Sequence, residues 1–461
     1  MGLFDALTSA VSGLQAQSFA MQNISGNIAN SQTIAYKGID TSFEDLIPGA
    51  SVPSQQVAGG VFASSRATNT VQGAIQNASS GTDMAINGDG YFLVKSPTSY
   101  NGTNPVFGGV DSYTRRGDFE LNAQGYLVNG AGYFLEGIPI DPTTGNPTGN
   151  ASAPLQFQNN FLAASASSRV DYGINLPTVP ATAAYNPAVP NSELLNPADF
   201  TGHDPRVPPG GTGTVLGSQV QNFINESVDG GSVTVYDSTG TPANLTLRWA
   251  KTDSVAAGGT DTWQLFYQVN SNAGAAAVAW QNAGTAFKFD TTGQLNPPLT
   301  SLNLTGVTIN GVTLGNLTLN VPTGSVTQFA SSSGSTTVNN LQQNGYPAGQ
   351  LQSISVGNNG TIVGTFSNGQ NVSLAQVSMA HFNNSNGLKA LNGGAYQVTD
   401  LSGPALSGAS GTIVGQSLEG SNTDIATEFT KLIVTQQAYS ANTKVITTAN
   451  QMSQDLLNIL R

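Results

Sequence analysis

Both ends of this chain carry the apolar period of a long helix, while the residues between them alternate with the period of sheet. The opening stretch, MGLFDALTSAVSGLQAQSFAMQNISGNIANSQ, sets Leu7, Val11, Leu14, Met21 and Ile28 at helical spacing, with Phe4 and Ile24 on the flank. That is one face of a helix. Its other faces hold Gln, Asn, Ser and Thr, and Asp5 is the only charge before Lys37. A helix bathed in water ordinarily carries Lys and Glu there, so the expected neighbour is something other than bulk solvent. Gly26 and Asn30-Ser31 predict the stop.

The closing stretch repeats the pattern. SNTDIATEFTKLIVTQQAYSANTKVITTANQMSQDLLNILR places Ile425, Phe429, Leu432, Tyr439, Ile446, Leu457 and Leu460 at heptad-like spacing. Asn422 or Thr423 is the expected N-cap, with Asp424 and Glu428 at the positive end of the helix dipole. About 40 residues of helix would span about 55 Å. Two such helices cover each other most economically as a coiled coil. One seam leaves their outer faces bare, so both are expected to order against neighbouring copies, as in a polymerising subunit.

The fold class expected is therefore mainly β with long paired terminal α-helices, a β-rich inner module and an inserted all-β outer domain. Residues 1–30 and 416–461 form the helices, and 31–75, with scattered apolar residues among turn formers, an extended linker. Residues 76–150 and 335–415 form a discontinuous β-rich middle domain. In it, MAINGDGYFLVKS predicts two strands in a hairpin about Asn87–Gly90, continued as a meander through YTRRGDFELNAQGYLVNGAGYFLEG. Residues 151–334 form the insert, where GGSVTVYDSTGTPANLTLRWAKT and LTSLNLTGVTINGVTLGNLTLNVP alternate as strands.

Charged residues are 9% of the chain and the formal net charge is -12. Ordinary globular proteins carry about 25% charged residues. An acidic chain is a poor partner for nucleic acid or an anionic membrane, and no apolar run approaches the ~18 residues of a spanning helix. There is no cysteine, hence no disulfide framework or thiolate site. The N-terminus lacks the pattern of a cleaved secretory signal. His203 and His381 have no triad or metal spacing. GGTGTVLG lacks the residues of a phosphate loop, NGDG lacks the ligands of a calcium loop, and Arg115-Arg116 reads as a solvated strand end. No catalytic, metal or cofactor site is expected.

LTSAVSGLQAQSFAMQNISGNIANSQTIAYKGIDTSFEDL, then GTDMAINGDGYFLV, and GQSLEGSNTDIATEFTKLIVTQQAYSANTKVITTANQMSQDLLNILR resemble the rod and hook family of bacterial flagellar axial proteins. NGYPAGQLQSISVGNNGTIVGTFSNGQNVSLAQVSMAHFNNSNGL and the size of the insert bring the chain nearer to the hook members than to a distal rod subunit. Residues 151–334 themselves carry no such resemblance. The resemblance implies a structural subunit of a short, curved, flexible tube that passes motor torque to the filament as a universal joint and encloses the export channel. It implies export without a cleaved signal by the flagellar type III apparatus to an extracellular site at the hook. Its implied partners are further copies of itself, the distal rod protein, the hook cap and the hook-filament junction protein, without membrane insertion. It also implies that polar side chains of the C-terminal helix, Gln436, Gln437, Asn450 and Gln454, face the channel. From another class, a β-rich surface adhesin shares the composition but would need a secretion signal or anchor.

Overall fold

The computed structural model describes residues 3–46, 59–142, 144–158, 161–207, 211–408 and 411–459. The chain divides into two compact units, residues 1–160 with 351–461, and residues 161–350.

The first unit holds both terminal helices, α1 (Leu3–Ala29) and α2 (Ile425–Ile459), which pack together. α1 stops where the sequence predicts: Asn30 Nδ2 donates to Gly26 O and Ser31 Oγ to Ile28 O, satisfying carbonyls that the helix end leaves open. α2 is capped by neither Asn422 nor Thr423 but by Asp424, whose Oδ1 accepts the Thr427 N–H at 2.7 Å. The Asn422 side chain is taken up elsewhere, accepting from Gly38 N at 2.7 Å and donating to Thr68.

Residues 31–75 are more regular than the expected linker. β1 (Ile39–Asp45) and β2 (Val61–Ala67) pair antiparallel from Ile39↔Ala67 to Asp45↔Val61. The signal was weak because the ladder has no strong period-two pattern. Its partner surface is α1, which sequence alternation does not report.

Beyond this hairpin, strands from both halves of the unit interleave in one sheet. Tyr91–Lys95 lies between Ser112–Thr114 and Phe134–Pro139. Phe134–Pro139 in turn pairs with Asn371–Val377, which pairs with Thr361–Phe366. The meander is present in Phe119–Leu121, Leu127–Asn129 and Phe134–Pro139. The hairpin expected about Asn87–Gly90 is not. Met84–Asn87 pairs with Thr412–Gly415 instead, so the four-residue turn carries the chain from one sheet to another. Short-range turn chemistry could not reveal a partner more than 300 residues away.

The second unit contains two five-stranded sheets. Alternation decides which side chains enter its core: Leu245, Leu247 and Trp249 of Pro242–Asp253, and Leu302, Leu304, Val307 and Ile309 of Ser301–Ile309. Asn310 and Gly311, at φ 49° and 85°, make the tight turn that joins Ser301–Ile309 to Val312–Asn320. Two buried rings share one polar chain, with Trp249 Nε1 donating to Tyr172 Oη at 2.8 Å and Tyr172 Oη donating to Gly230 O at 2.7 Å. Burial raises the Tyr172 phenol well above its ordinary range. In a cavity of about 490 Å³ lined by Leu194, Pro197, Asp199 and Arg206, the buried Glu226 accepts the Asn196 N–H at 2.8 Å. Burial, with the neighbouring Asp199 carboxyl, pushes Glu226 up to about 7.

Candidate functional site

The helix pair presents three faces on α1, each with a different chemistry. The first is a seam of Ala10, Gly13, Ala16, Ala20, Ile24 and Asn27, all buried and spaced by three or four residues. On α2 the matching residues are Glu428, Thr435 and Ala449, buried, with Leu432, Ala438, Asn442, Ile446 and Ser453 half-buried between them. Contacts fix the facing: Asn27 Nδ2 donates to Glu428 Oε2 at 3.1 Å, and a Cβ on Gly13 would stand 2.7 Å from Asn442 Nδ2. Small residues let helix axes come close but bury little apolar area. Gly13→Ala is expected to be tolerated, since the Asn442 amide can swing aside and alanine favours the helix by about 1 kcal/mol. Gly13→Leu should force the helices apart at a cost of about 1–3 kcal/mol. Far-UV circular dichroism of the two variants, compared through a thermal melt, checks this.

The second face is polar and lies under the β1–β2 hairpin. Ser9 Oγ donates to Gly59 O at 3.0 Å, Ser12 Oγ accepts from Val61 N at 3.1 Å, and Asn23 Nδ2 donates to Thr41 Oγ1 at 2.9 Å. These three side chains account for part of the uncharged composition of α1, because they bond to backbone and hydroxyl groups rather than to solvent, while Gln15, Gln22 and Ser25 are exposed.

The third face is the large apolar stripe found in the sequence. At about 100° per residue it lies roughly a quarter turn from the seam. Leu7, Leu14, Met21 and Ile28 are half-buried, while Val11 is 40% and Phe4 79% exposed. α2 behaves alike. Of the residues predicted there, Leu432 and Ile446 belong to the seam, whereas Ile425, Phe429, Tyr439 and Leu457 are exposed and Leu460 falls outside the described residues. As an account of pairing inside one chain, the predicted stripes are thus corrected: small residues fill the buried seam, and of the large stripe residues only Leu432 and Ile446 join it, the other described ones being half-buried or exposed. The cause is size, since hydropathy patterns weight Leu and Phe above the Ala and Gly that permit close approach.

Exposed apolar residues flank the α2 seam on both sides, Ile425 and Phe429 on one, Val434, Val445 and Met452 on the other, while Ile433 lies at the back. Directly opposite the seam, helical geometry places Gln437, Lys444, Thr448 and Asp455. Gln436, Gln437, Asn450 and Gln454 are all exposed. Only Gln437 lies on that back strip; the other three share the Phe429 side.

Where the helices meet the sheet, α1's exit and α2's entry are bonded to one another. Ala35 N donates to Glu419 O at 2.8 Å and Asn422 N to Tyr36 O at 3.1 Å. Fully buried Glu419 meets Lys37 Nζ at 2.5 Å, Gly73 N at 2.9 Å and Arg115 at 3.3 Å. Arg115 also donates to Ile86 O and Gly88 O, and its guanidinium lies over the Tyr91 ring. Burial pulls the Lys37 ammonium below its usual range, against the upward pull of Glu419. Arg115 is therefore no solvated strand end, and Arg116 is bound to Asp118 through two contacts of 2.7 and 2.8 Å. No local motif marks this cluster, because its members are scattered over nearly the whole chain.

The remaining sequence candidates stay apart. His381 Nδ1 meets Gly408 O, and His203 is half-buried in the second unit. Among the described residues no three His, Cys, Asp or Glu side chains gather as a metal site, and no helix is long and apolar enough to cross a membrane.

Three family models match the chain: "Flagellar hook protein FlgE/F/G D1 domain" at residues 85–184, "Flagellar basal body protein FlaE D2 domain" at 225–346, and "Flagellar basal body rod FlgEFG protein C-terminal" at 414–459. The D2 match falls largely within the insert, residues 151–334. The flagellar hook protein FlgE of Salmonella typhimurium is 30% identical to this chain, covering 98% of it and 100% of its own length. That of Escherichia coli is 30% identical with the same coverage, and that of Caulobacter vibrioides 28% identical with 100% of each chain covered. The crystal structure of the Helicobacter pylori flagellar hook protein FlgE2 is similar at a TM-score of 0.47 and 17% identity, covering 74% of this chain and 99% of that one.

Proposed function

The chain belongs to the flagellar hook protein family, and we propose that its copies polymerise through the apolar strips that the paired helices leave uncovered. It is a structural subunit of the hook, and the family is one of structural proteins rather than enzymes. One observation carries the polymerisation reading: within the chain, α1 and α2 meet through Ala, Gly and Asn, while Val11, Phe429 and Val434 stay outside. Large apolar side chains left bare at this density mark a contact surface. Two apolar strips on α2, one on each side of its seam, suit a helix pair wedged between two neighbours in a ring or helical array.

In that arrangement the helix pairs form the coiled-coil inner wall of the tube, and residues 151–334 the outer domain. The back strip of α2 faces the channel, so Gln437, Lys444, Thr448 and Asp455 line it. Gln436, Asn450 and Gln454 lie with the apolar strip and join the lateral contacts. With one cation and one anion on the strip, the wall carries no net charge from this face and holds a transiting unfolded chain weakly. The low charge content suits sliding contacts in a bent tube whose protofilaments lengthen and shorten on each turn. The distal rod protein, hook cap and hook-filament junction protein are the partners at its ends, and the flagellar type III apparatus exports the subunit without a cleaved signal.

Immunogold electron microscopy with antibody against residues 151–334 tests the location. Gold on the short curved segment between envelope and filament is the expected result. Gold only on extracted basal bodies would mean a rod subunit, and label spread over the cell surface an adhesin.

A further inference from the structure

We propose that the elbow around Glu419 is a rigid torsional coupling, with Glu419 the positioning residue that fixes the direction in which the helix pair leaves the β-sheet body. The inference rests on the hook reading and adds to it a place where torque crosses from one layer of the subunit to the next.

Three segments converge on one carboxylate. Lys37 comes from α1's exit, Gly73 from the chain after β2, and Arg115 from the sheet, while Glu419 itself stands six residues before α2. Each cation is fastened a second time, Lys37 to Val71 O at 2.7 Å and Arg115 to Gly88 O at 2.7 Å. Around them the backbone is tied without slack by the Ala35–Glu419 and Tyr36–Asn422 bonds. Ala35 is held at φ 55° and buried, a conformation a non-glycine residue keeps only where its surroundings enforce it.

Stability alone does not account for such a cluster. Two cations against one buried anion are costly to desolvate, and well-packed apolar residues commonly hold a core as well or better. Charged hydrogen bonds do supply direction, because bidentate acceptors and a guanidinium fork accept partners only along fixed lines. An apolar elbow could roll under a twisting load; this one cannot roll without breaking several bonds at once.

The test separates holding the elbow together from aiming it. Glu419→Gln alone leaves Lys37 and Arg115 without their counter-charge and is expected to abolish hooks. Glu419→Gln combined with Lys37→Met returns the cluster to its native net charge of one. Glu419→Asp keeps the charge but shortens its reach by one methylene. The double variant and Glu419→Asp should be exported, melt close to wild type and assemble. Their detached hooks should differ in curvature from wild type, with swimming speed lost in a viscous medium. Wild-type curvature and wild-type swimming under load from either assembling variant would overturn the proposal. Failure of the hook reading itself is scored separately, as absence of immunogold from the hook in cells carrying the unmutated chain.

Discussion

Cells carrying Leu14→Asp are expected to secrete a folded subunit and build no hook. Leu14 lies on the third face of α1, half-buried and away from the small-residue seam. In the lone chain an aspartate there reaches water, so the helix pair and sheets are left intact. In the polymer the same carboxylate enters an apolar contact, where an unpaired charge costs several kcal/mol. The cost recurs at every subunit added, so even a partial penalty stops growth. Leu432→Asp should also abolish hooks, but by another route, because Leu432 belongs to the α2 seam and its loss opens the pair within the chain. Two readouts distinguish them. Electron microscopy counts hooks, and far-UV circular dichroism of the secreted subunit should keep its helical signal for Leu14→Asp and lose part of it for Leu432→Asp. Normal hooks on Leu14→Asp cells would sink the reading of this face as a polymer contact.

Glu226→Gln is expected to stabilise the second unit at pH 8 and to leave it unchanged near pH 4. The folded state holds the Glu226 proton up to about pH 7, against 4.5 for an ordinary glutamate, chiefly because burial penalises the carboxylate and then because Asp199 lies beside it. Below the lower value both states are protonated and the group has no effect. As pH rises from there to about 7 the unfolded chain loses its proton first, so the folded state is progressively disfavoured; above 7 the full penalty remains. A shift of this size corresponds to at most about 3.5 kcal/mol. Glutamine keeps the acceptor for Asn196 N–H and cannot ionise. All three tryptophans, Trp249, Trp263 and Trp280, lie in the second unit, so intrinsic fluorescence follows its melt without interference from the helices. Equal pH dependence in wild type and variant would refute the assignment.

Much of this architecture can be read locally. α1 ends at Ala29, as Gly26 and Asn30-Ser31 predict, because helix stops depend on residues within one turn. Strands such as Pro242–Asp253 follow alternation closely, because they have one face toward a core that contains Trp249 and Leu304, whereas Thr262–Gln268 is buried on both faces. The errors fall where the partner is distant in sequence. Met84–Asn87 looks like half of a hairpin until Thr412–Gly415 takes its edge. Arg115 looks solvated until Glu419 arrives from the far end of the chain.

The helix pair divides along the same line. Periodicity by itself determined that both termini are helices, that each carries an apolar stripe, and that the chain between them is sheet, since these depend only on the 3.6- and 2-residue repeats of the backbone. Only the tertiary structure decided which face of each helix meets the other. That choice turned on Gly13 and Ala16 allowing two backbones to approach, a property of size and distance that hydropathy does not encode. It left Val11 and Phe429 exposed, and it set Glu419 where Lys37 and Arg115 could close on it.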